Sequence, residues 1–132
     1  MANIHRTVAL GASADEIWAR LEAPDRINEW LTFLGPVTWD PATSTRTCSL
    51  GEAELGELVL SIDPERRRFA YSIVDSPMGL QHHSASMEVV ERDGGATLVW
   101  DHDFLPDSAA PMLTEAVEGA VAVITAADPV SN

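Results

Sequence analysis

Cysteine is almost absent from this chain. Cys48 is the only one, so no disulfide can close within it, and a reducing, cytoplasmic setting is the expectation. Positive charge is scarce as well. Eight Lys and Arg stand against 21 Asp and Glu, for a net charge of −13. Such a surface repels phosphate backbones and anionic headgroups, so neither nucleic acid nor a membrane surface is an expected partner. No apolar run approaches the ~20 residues needed to span a bilayer. The first residues, "MANIHRTVALGASADEIW", lack the basic head and apolar core of a signal peptide. There is no phosphate-cradling glycine loop, no nucleophile elbow and no zinc-ligand spacing, so no metal and no organic cofactor is expected. Repeats, low-complexity tracts and linkers are also missing.

What is present is an ordinary globular composition, 45% hydrophobic and 22% charged over 132 residues, enough for a single domain spanning 1–132. "NIHRTVAL" alternates as a strand, with Ile4, Val8 and Leu10 on one side. In "GASADEIWARL", Ser13 and Glu16 have the spacing of a capping box, and Ile17, Trp18 and Leu21 form an inward stripe. Pro24 opens a second helix, "PDRINEWLTFL", carrying Ile27, Trp30, Leu31 and Leu34 at helical spacing up to Gly35-Pro36. The period then drops to two. "VTWD", "STRTCSL", "AELGELVLSID", "RRFAYSIVD", "HHSASMEVVER" and "ATLVWDHDFLP" read as six strands joined by short turns, hence antiparallel. "DSAAPMLTEAVEGAVAVITAAD" closes the chain as a helix capped by Asp107 or Ser108, with Leu113, Val117, Ala120, Val121 and Ile124 on one side. The class is α+β.

In this order of elements, "ASADEIWARLEAPDRINEW", "LSIDPERRRFAYSI" and "LVWDHDFLP" resemble the START/polyketide-cyclase superfamily (SRPBCC), whose birch-pollen-allergen-like members have the helix-grip fold. The resemblance covers nearly the whole chain. It implies a curved seven-stranded antiparallel sheet around a long C-terminal helix, two short helices after the first strand, and a cavity between sheet and helix. It also implies a small, largely apolar or polyketide-like ligand. The superfamily includes monomers and dimers, so a homodimer stays open.

Alternation assigns the faces. In "HHSASMEVV" the set His83, Ala85, Met87 and Val89 should face in and His82 out, so the adjacent histidines cannot chelate one metal. In "TLVWDHDF" the set Leu98, Trp100, His102 and Phe104 should face in, which splits the Asp101-His102-Asp103 triplet. A hairpin turning at Gly94 sets His102 opposite Met87 and His83 opposite Pro106, about 13 Å apart along the strands. The preceding hairpin sets Tyr71 beside Ala85 or Met87. Tyr71 and His102 then flank Met87 on the order of 10 Å apart, a distance that a small ligand bridges. Glu57 is ambiguous. Its strand offers Leu58, Leu60 and Ile62 on one face and Leu55, Glu57, Val59 and Ser61 on the other. Facing in, its carboxyl would be pushed toward the neutral form and serve as acid or base; facing out, it is a surface charge.

The expected site therefore has His102, Tyr71 and Glu57 as proton-moving groups. Its lining is His83, Ala85, Met87, Trp100, Phe104, Trp30, Trp39 and Ile73. Each has a plainer reading: a hydrogen-bonded interior histidine, a packed tyrosine, tryptophans that fill the core, a half-wet His83. Arg66-Arg67-Arg68 reads as a solvated turn and Cys48 as a small buried side chain. The function expected is a small-molecule cavity acting as a polyketide cyclase or dehydratase. The alternatives are a carrier without chemistry and, from another class, a cochaperone-like protein-interaction module.

Overall fold

In the computed structural model, residues 1–128 are described. Strand β1 (Ala2–Leu10) is followed by helix α1 (Ala14–Leu21) and a 3-10 helix (Pro24–Glu29). Six strands come next: β2 (Val37–Asp40), β3 (Thr45–Leu50), β4 (Ala53–Asp63), β5 (Arg68–Asp75), β6 (His82–Arg92) and β7 (Gly95–Leu105). A 3-10 turn (Asp107–Ala109) leads into α2 (Ala110–Ala127). The sheet has seven strands in the order β1-β7-β6-β5-β4-β3-β2, and every neighbouring pair is antiparallel. α1 and the 3-10 helix carry the chain from one edge of the sheet to the other. Residues of α2 alternate between sheet and solvent at helical spacing: Leu113, Val117, Ala120, Val121 and Ile124 are its buried residues. This is the helix-grip arrangement.

Four local expectations need correction. The segment after Pro24 forms one short 3-10 helix, and the chain then proceeds by turns through Leu34. α2 has no side-chain cap: Asp107 and Ser108 lie in the preceding turn, and Ala109 occupies the cap position. Leu60 and Ile62 are exposed, because β4 shifts register between Val59 and Ser61 and its regular alternation ends there. Finally, Asp107–Ala127 is long and apolar enough to cross a bilayer by length and composition. Its hydropathy comes largely from Ala and Val. Its inner face is packed on the sheet, and Glu115 and Glu118 stand exposed on it.

Two contacts tie α2 to the start of the chain. Arg6 Nε donates to Glu118 Oε1 at 2.6 Å, across the outside of the grip. The Asp128 carboxylate accepts the backbone N–H groups of Gly11 (2.8 Å) and Ala12 (3.1 Å), between β1 and α1. Beside the end of β1, Asp93 and Gly94 turn β6 into β7, with Arg92 paired to Gly95. Gly94 takes a φ of 80°, in the left-handed region that glycine enters without strain. Gly95 is constrained more tightly. A Cβ there would stand 2.0 Å from the carbonyl oxygen of Leu10 on β1. Gly94→Ala should therefore cost about 1–2 kcal/mol from backbone strain alone, whereas Gly95→Ala, which must push two strands apart, should cost on the order of 3 kcal/mol or more. Chemical denaturation of the two variants measures this, and equal losses would contradict the close approach.

Candidate functional site

A pocket of about 400 Å³ lies between the inner face of the sheet and α2. Its apolar wall includes Leu21, Ile27, Leu31, Leu34, Phe69, Ile73, Met87, Trp100, Leu113, Val117 and Ala120. Phe33, Glu115, Ala116 and Gly119 also line it and are exposed, so it opens to the surface between the 29–35 segment and α2. Its interior polar members are Arg46, Glu57, Tyr71 and His102, and Glu115 is the polar residue at its rim.

The sequence expectation separated the histidines, and the structure brings them together. The two-residue turn at Asp93-Gly94 sets His102 opposite Ala85 and Phe104 opposite His83. That is two residues away from a pairing centred past Gly94. Every side chain keeps its face, but His83 and His102 become diagonal neighbours on that face, within reach of two rings. His83 Nε2 lies 2.9 Å from His102 Nδ1. Tyr71 pairs with Ala85, so Tyr71 and His102 flank Ala85 and not Met87. Over so small a side chain the rings lean together, to 6.3 Å between centroids in an edge-on arrangement.

The hydrogen bonds are specific. Regular pairing of β5 with β6 runs as far as Tyr71 and Ala85. Beyond it the Ile73 N–H donates to the ring nitrogen Nδ1 of His83 at 2.8 Å, and the Ser72 hydroxyl donates to the His83 carbonyl. Trp100 Nε1 donates to the Tyr71 hydroxyl oxygen at 3.1 Å. His102 is 1% exposed, and its Nε2 has no hydrogen-bond partner among the described residues. Burial sets the protonation states. It pushes His83 down to about 4, with the neighbouring His82 adding to the effect. It pushes His102 down to about 3, with His83 adding and Asp101 opposing. Burial, and after it the Glu57 carboxylate, raises the Tyr71 hydroxyl above its ordinary value. At neutral pH both imidazoles and the phenol are therefore uncharged.

Glu57 faces in, and it is not free. Arg46 on β3 pairs with it across the sheet, and Nε donates to Glu57 Oε1 at 2.8 Å. Both side chains are nearly fully buried. Arg46 also donates to the Pro24 carbonyl at 3.2 Å, and its guanidinium lies 5.1 Å from the centre of the Phe69 ring. The Arg46 contacts to this carboxylate fall on Oε1. Cys48, two residues along β3, is buried, and burial lifts its thiol to about 11, the Glu57 charge contributing after it.

Of the residues expected to line the site, Ile73, Met87 and Trp100 do so. His83, Ala85, Phe104, Trp30 and Trp39 do not. His83 stands behind His102, and Ala85 lies beneath the Tyr71 and His102 rings. Phe104 is fully buried opposite His83. Trp30 is buried at the surface cleft between α1 and α2, and Trp39 is a half-buried residue of the edge strand β2. Sequence reasoning missed Arg46. Its parity with the buried Cys48 on one strand was the available signal, since a charge on that face must find a partner inside.

The sequence matches the model of a family described as polyketide cyclase / dehydrase and lipid transport, over residues 1–127. No curated protein matches it. Among solved structures, an uncharacterised protein from Bacillus thuringiensis superposes with a TM-score of 0.84 at 14% identity, over 93% of this chain and 96% of that one. A protein from Thermobifida fusca is 29% identical, with a TM-score of 0.77 over 92% and 85% of the two chains. The Zhui aromatase/cyclase from Streptomyces is 22% identical, with a TM-score of 0.72 over 92% and 87%.

Two measurements follow from the electrostatics. Removing one member of a buried ion pair strands the other, so Arg46→Met or Glu57→Leu alone should cost about 3–5 kcal/mol, while the double variant should recover most of the loss. Urea denaturation closes the cycle, and additive losses would mean that the pair is not coupled. The histidines make stability depend on pH. Once unfolded, each takes up a proton near 6.5; folded, they do so only near 4 and 3. The unfolded chain thus binds more protons below about pH 6.5, and stability falls as pH drops from there toward 4. Between about pH 6.5 and 5 the carboxylates stay largely ionised. The decline of Tm in that window should be visible in the native protein and smaller in His102→Phe; a flat native profile contradicts the assignment.

Proposed function

Because the chain belongs to the polyketide cyclase / dehydrase and lipid transport family, we propose that its pocket binds a small, largely apolar molecule by one polar group and acts on it as a cyclase or dehydratase. The observation that carries this is His102 Nε2: a buried polar atom, on a ring that lines an apolar pocket, with no partner among the described residues. Leaving such an atom unpaired costs about 1–3 kcal/mol. A ligand group placed there removes that cost, so the pocket is predisposed to a molecule that is greasy everywhere except at that point. Tyr71 stands beside it. Its hydroxyl oxygen already accepts from Trp100, so its own proton is available to the same ligand group.

The Glu57 carboxylate is the interior group of the pocket suited to take a proton from carbon. In an aldol closure it would remove a proton beside a carbonyl whose oxygen is held at His102 and Tyr71. The resulting carbon nucleophile attacks a second carbonyl carbon of the same ligand. The new alkoxide then recovers the proton from Glu57; the carboxylate next takes the second proton from the same carbon and passes it to the departing hydroxyl, so that water leaves as the C=C bond forms. No metal or redox partner enters this balance. One observation favours a second reading, binding without turnover: Glu57 is held in an ion pair by Arg46, which ties its carboxylate to the protein.

A linear poly-β-ketone probe separates the two. If the protein is an enzyme, the cyclised product should form faster with it than without it, and His102→Phe or Tyr71→Phe should slow turnover roughly a hundredfold or more while the probe still binds. Weakened binding with no turnover in any variant supports the carrier. A native protein that neither binds nor cyclises the probe rules out both.

A further inference from the structure

The unpartnered Nε2 of His102 is the end of a chain of hydrogen bonds, and that chain has a direction. It starts at the backbone. The Ile73 N–H can only donate, and it donates to His83 Nδ1 at 2.8 Å. His83 Nδ1 must therefore carry a lone pair, and the uncharged ring has its proton on Nε2. That N–H points at His102 Nδ1, 2.9 Å away. His102 Nδ1 must in turn accept, which leaves the His102 proton on Nε2, the buried nitrogen of a ring that lines the pocket. We propose that His83 is a positioning residue that locks His102 as an N–H donor toward the pocket, so that the site selects ligands presenting an acceptor oxygen at that point.

Among the described residues, no other hydrogen bond to either ring competes for these assignments. His83 sits between Phe104 opposite it on β7 and the Ile73 N–H on β5, and its outer neighbour His82 is exposed. His102 lies between Ile4 on β1 and Ala85 on β6, with Trp100 at 5.0 Å and Tyr71 at 6.3 Å between ring centres. The Tyr71 oxygen already accepts from Trp100, which leaves its proton as a second donor beside the first. Two donors at one end of an apolar pocket suit a carbonyl, enolate or phenolate oxygen, which accepts two hydrogen bonds. They give nothing to a group that only donates, and both N–H and O–H would lose their partners beside a hydrocarbon.

The inference rests on the pocket's binding role proposed above, but its first test does not. Imidazole nitrogen NMR on the full chain reads the tautomer directly. Native His102 should carry its proton on Nε2. His83→Leu, which cannot donate to Nδ1, should show a mixture of tautomers. His83→Gln, whose amide reaches the position of the imidazole Nε2 and can donate from there, should restore the native form. A purely structural His83 would not produce this pattern. A native His102 protonated on Nδ1, or an unchanged tautomer in His83→Leu, overturns the lock. Selection is then read with acetophenone and its oxygen-free isostere α-methylstyrene, titrated against the same three proteins. The ketone should bind roughly threefold to tenfold more tightly than the alkene in the native protein and in His83→Gln. In His83→Leu that preference should shrink. Equal binding of the two probes by the native protein overturns the selection rule. Failure of both to bind overturns the binding role and the selection rule together, and the tautomer result stands on its own.

Discussion

The length of one turn governs the interior of this protein. Asp93 and Gly94 join β6 to β7 with nothing to spare, and the pairing that starts at Arg92 and Gly95 runs unbroken to His82 and Leu105. A shift of two residues along that ladder, toward the pairing centred past Gly94, would leave every apolar side chain on its own face. It would also pull His83 and His102 a full repeat apart and set Tyr71 and His102 astride a bulky methionine. The glycine that fixes the turn is held by a third strand, since the Leu10 carbonyl leaves no room for a side chain at Gly95. Register is therefore specified by backbone contact at one end of the hairpin, and the chemistry is read out at the other.

The second constraint is the cost of burying polarity. Among the described residues the buried charged or imidazole groups are Arg46, Glu57, His83, His102 and Asp128. Asp128 caps two backbone N–H groups at the foot of α1. Arg46 and Glu57 neutralise one another, and His83 takes over as acceptor where the β5–β6 ladder stops supplying one. After these pairings the interior polar capacity left over on the pocket side, among the described residues, is small: His102 Nε2 and the Tyr71 proton, beside the Arg46-held Glu57 carboxylate. A site of this kind needs no charged catalyst to be selective. Its donors and acceptors are pre-aimed in an apolar surround, where each counts for more than in water.

Alternation and turn chemistry made most of the fold legible. Seven strands, α1 with its Ser13 cap, and the inward face of α2 all follow from periods of two and 3.6 and from short connections. Legibility failed where a local rule met a tertiary one. The segment after Pro24 has helical spacing but curls through a 3-10 helix and turns, and β4 looked two-faced because a bulge interrupts it. For the site, facing was legible and proximity was not. That His83 and His102 point inward follows from parity. That they touch depends on where within Asp93-Gly94-Gly95 the chain reverses, and three turn-forming residues in a row leave that open. Arg46 escaped notice because its strand is too short and polar to show a face, although it is the reason Glu57 can be inside at all.

These failures share a cause that bears on how such a pocket arises. A binary pattern specifies that a position is interior, and an apolar residue there satisfies it in any of several registers. Arginine, glutamate and histidine at interior positions do not, because each must meet a particular atom on a neighbouring strand or remain unpaired at a cost of kilocalories. The polar interior residues thus add register information that the apolar ones lack: Arg46 opposite Glu57, and the His83 ring against the Ile73 N–H and His102, are mutually consistent in only one alignment of β3 through β7. In this chain the groups that break the hydrophobic pattern are also the ones that line or back the pocket. The same requirement for exact partners that makes them hard to place from sequence is what holds a donor pair, an acceptor and an apolar wall in one fixed geometry.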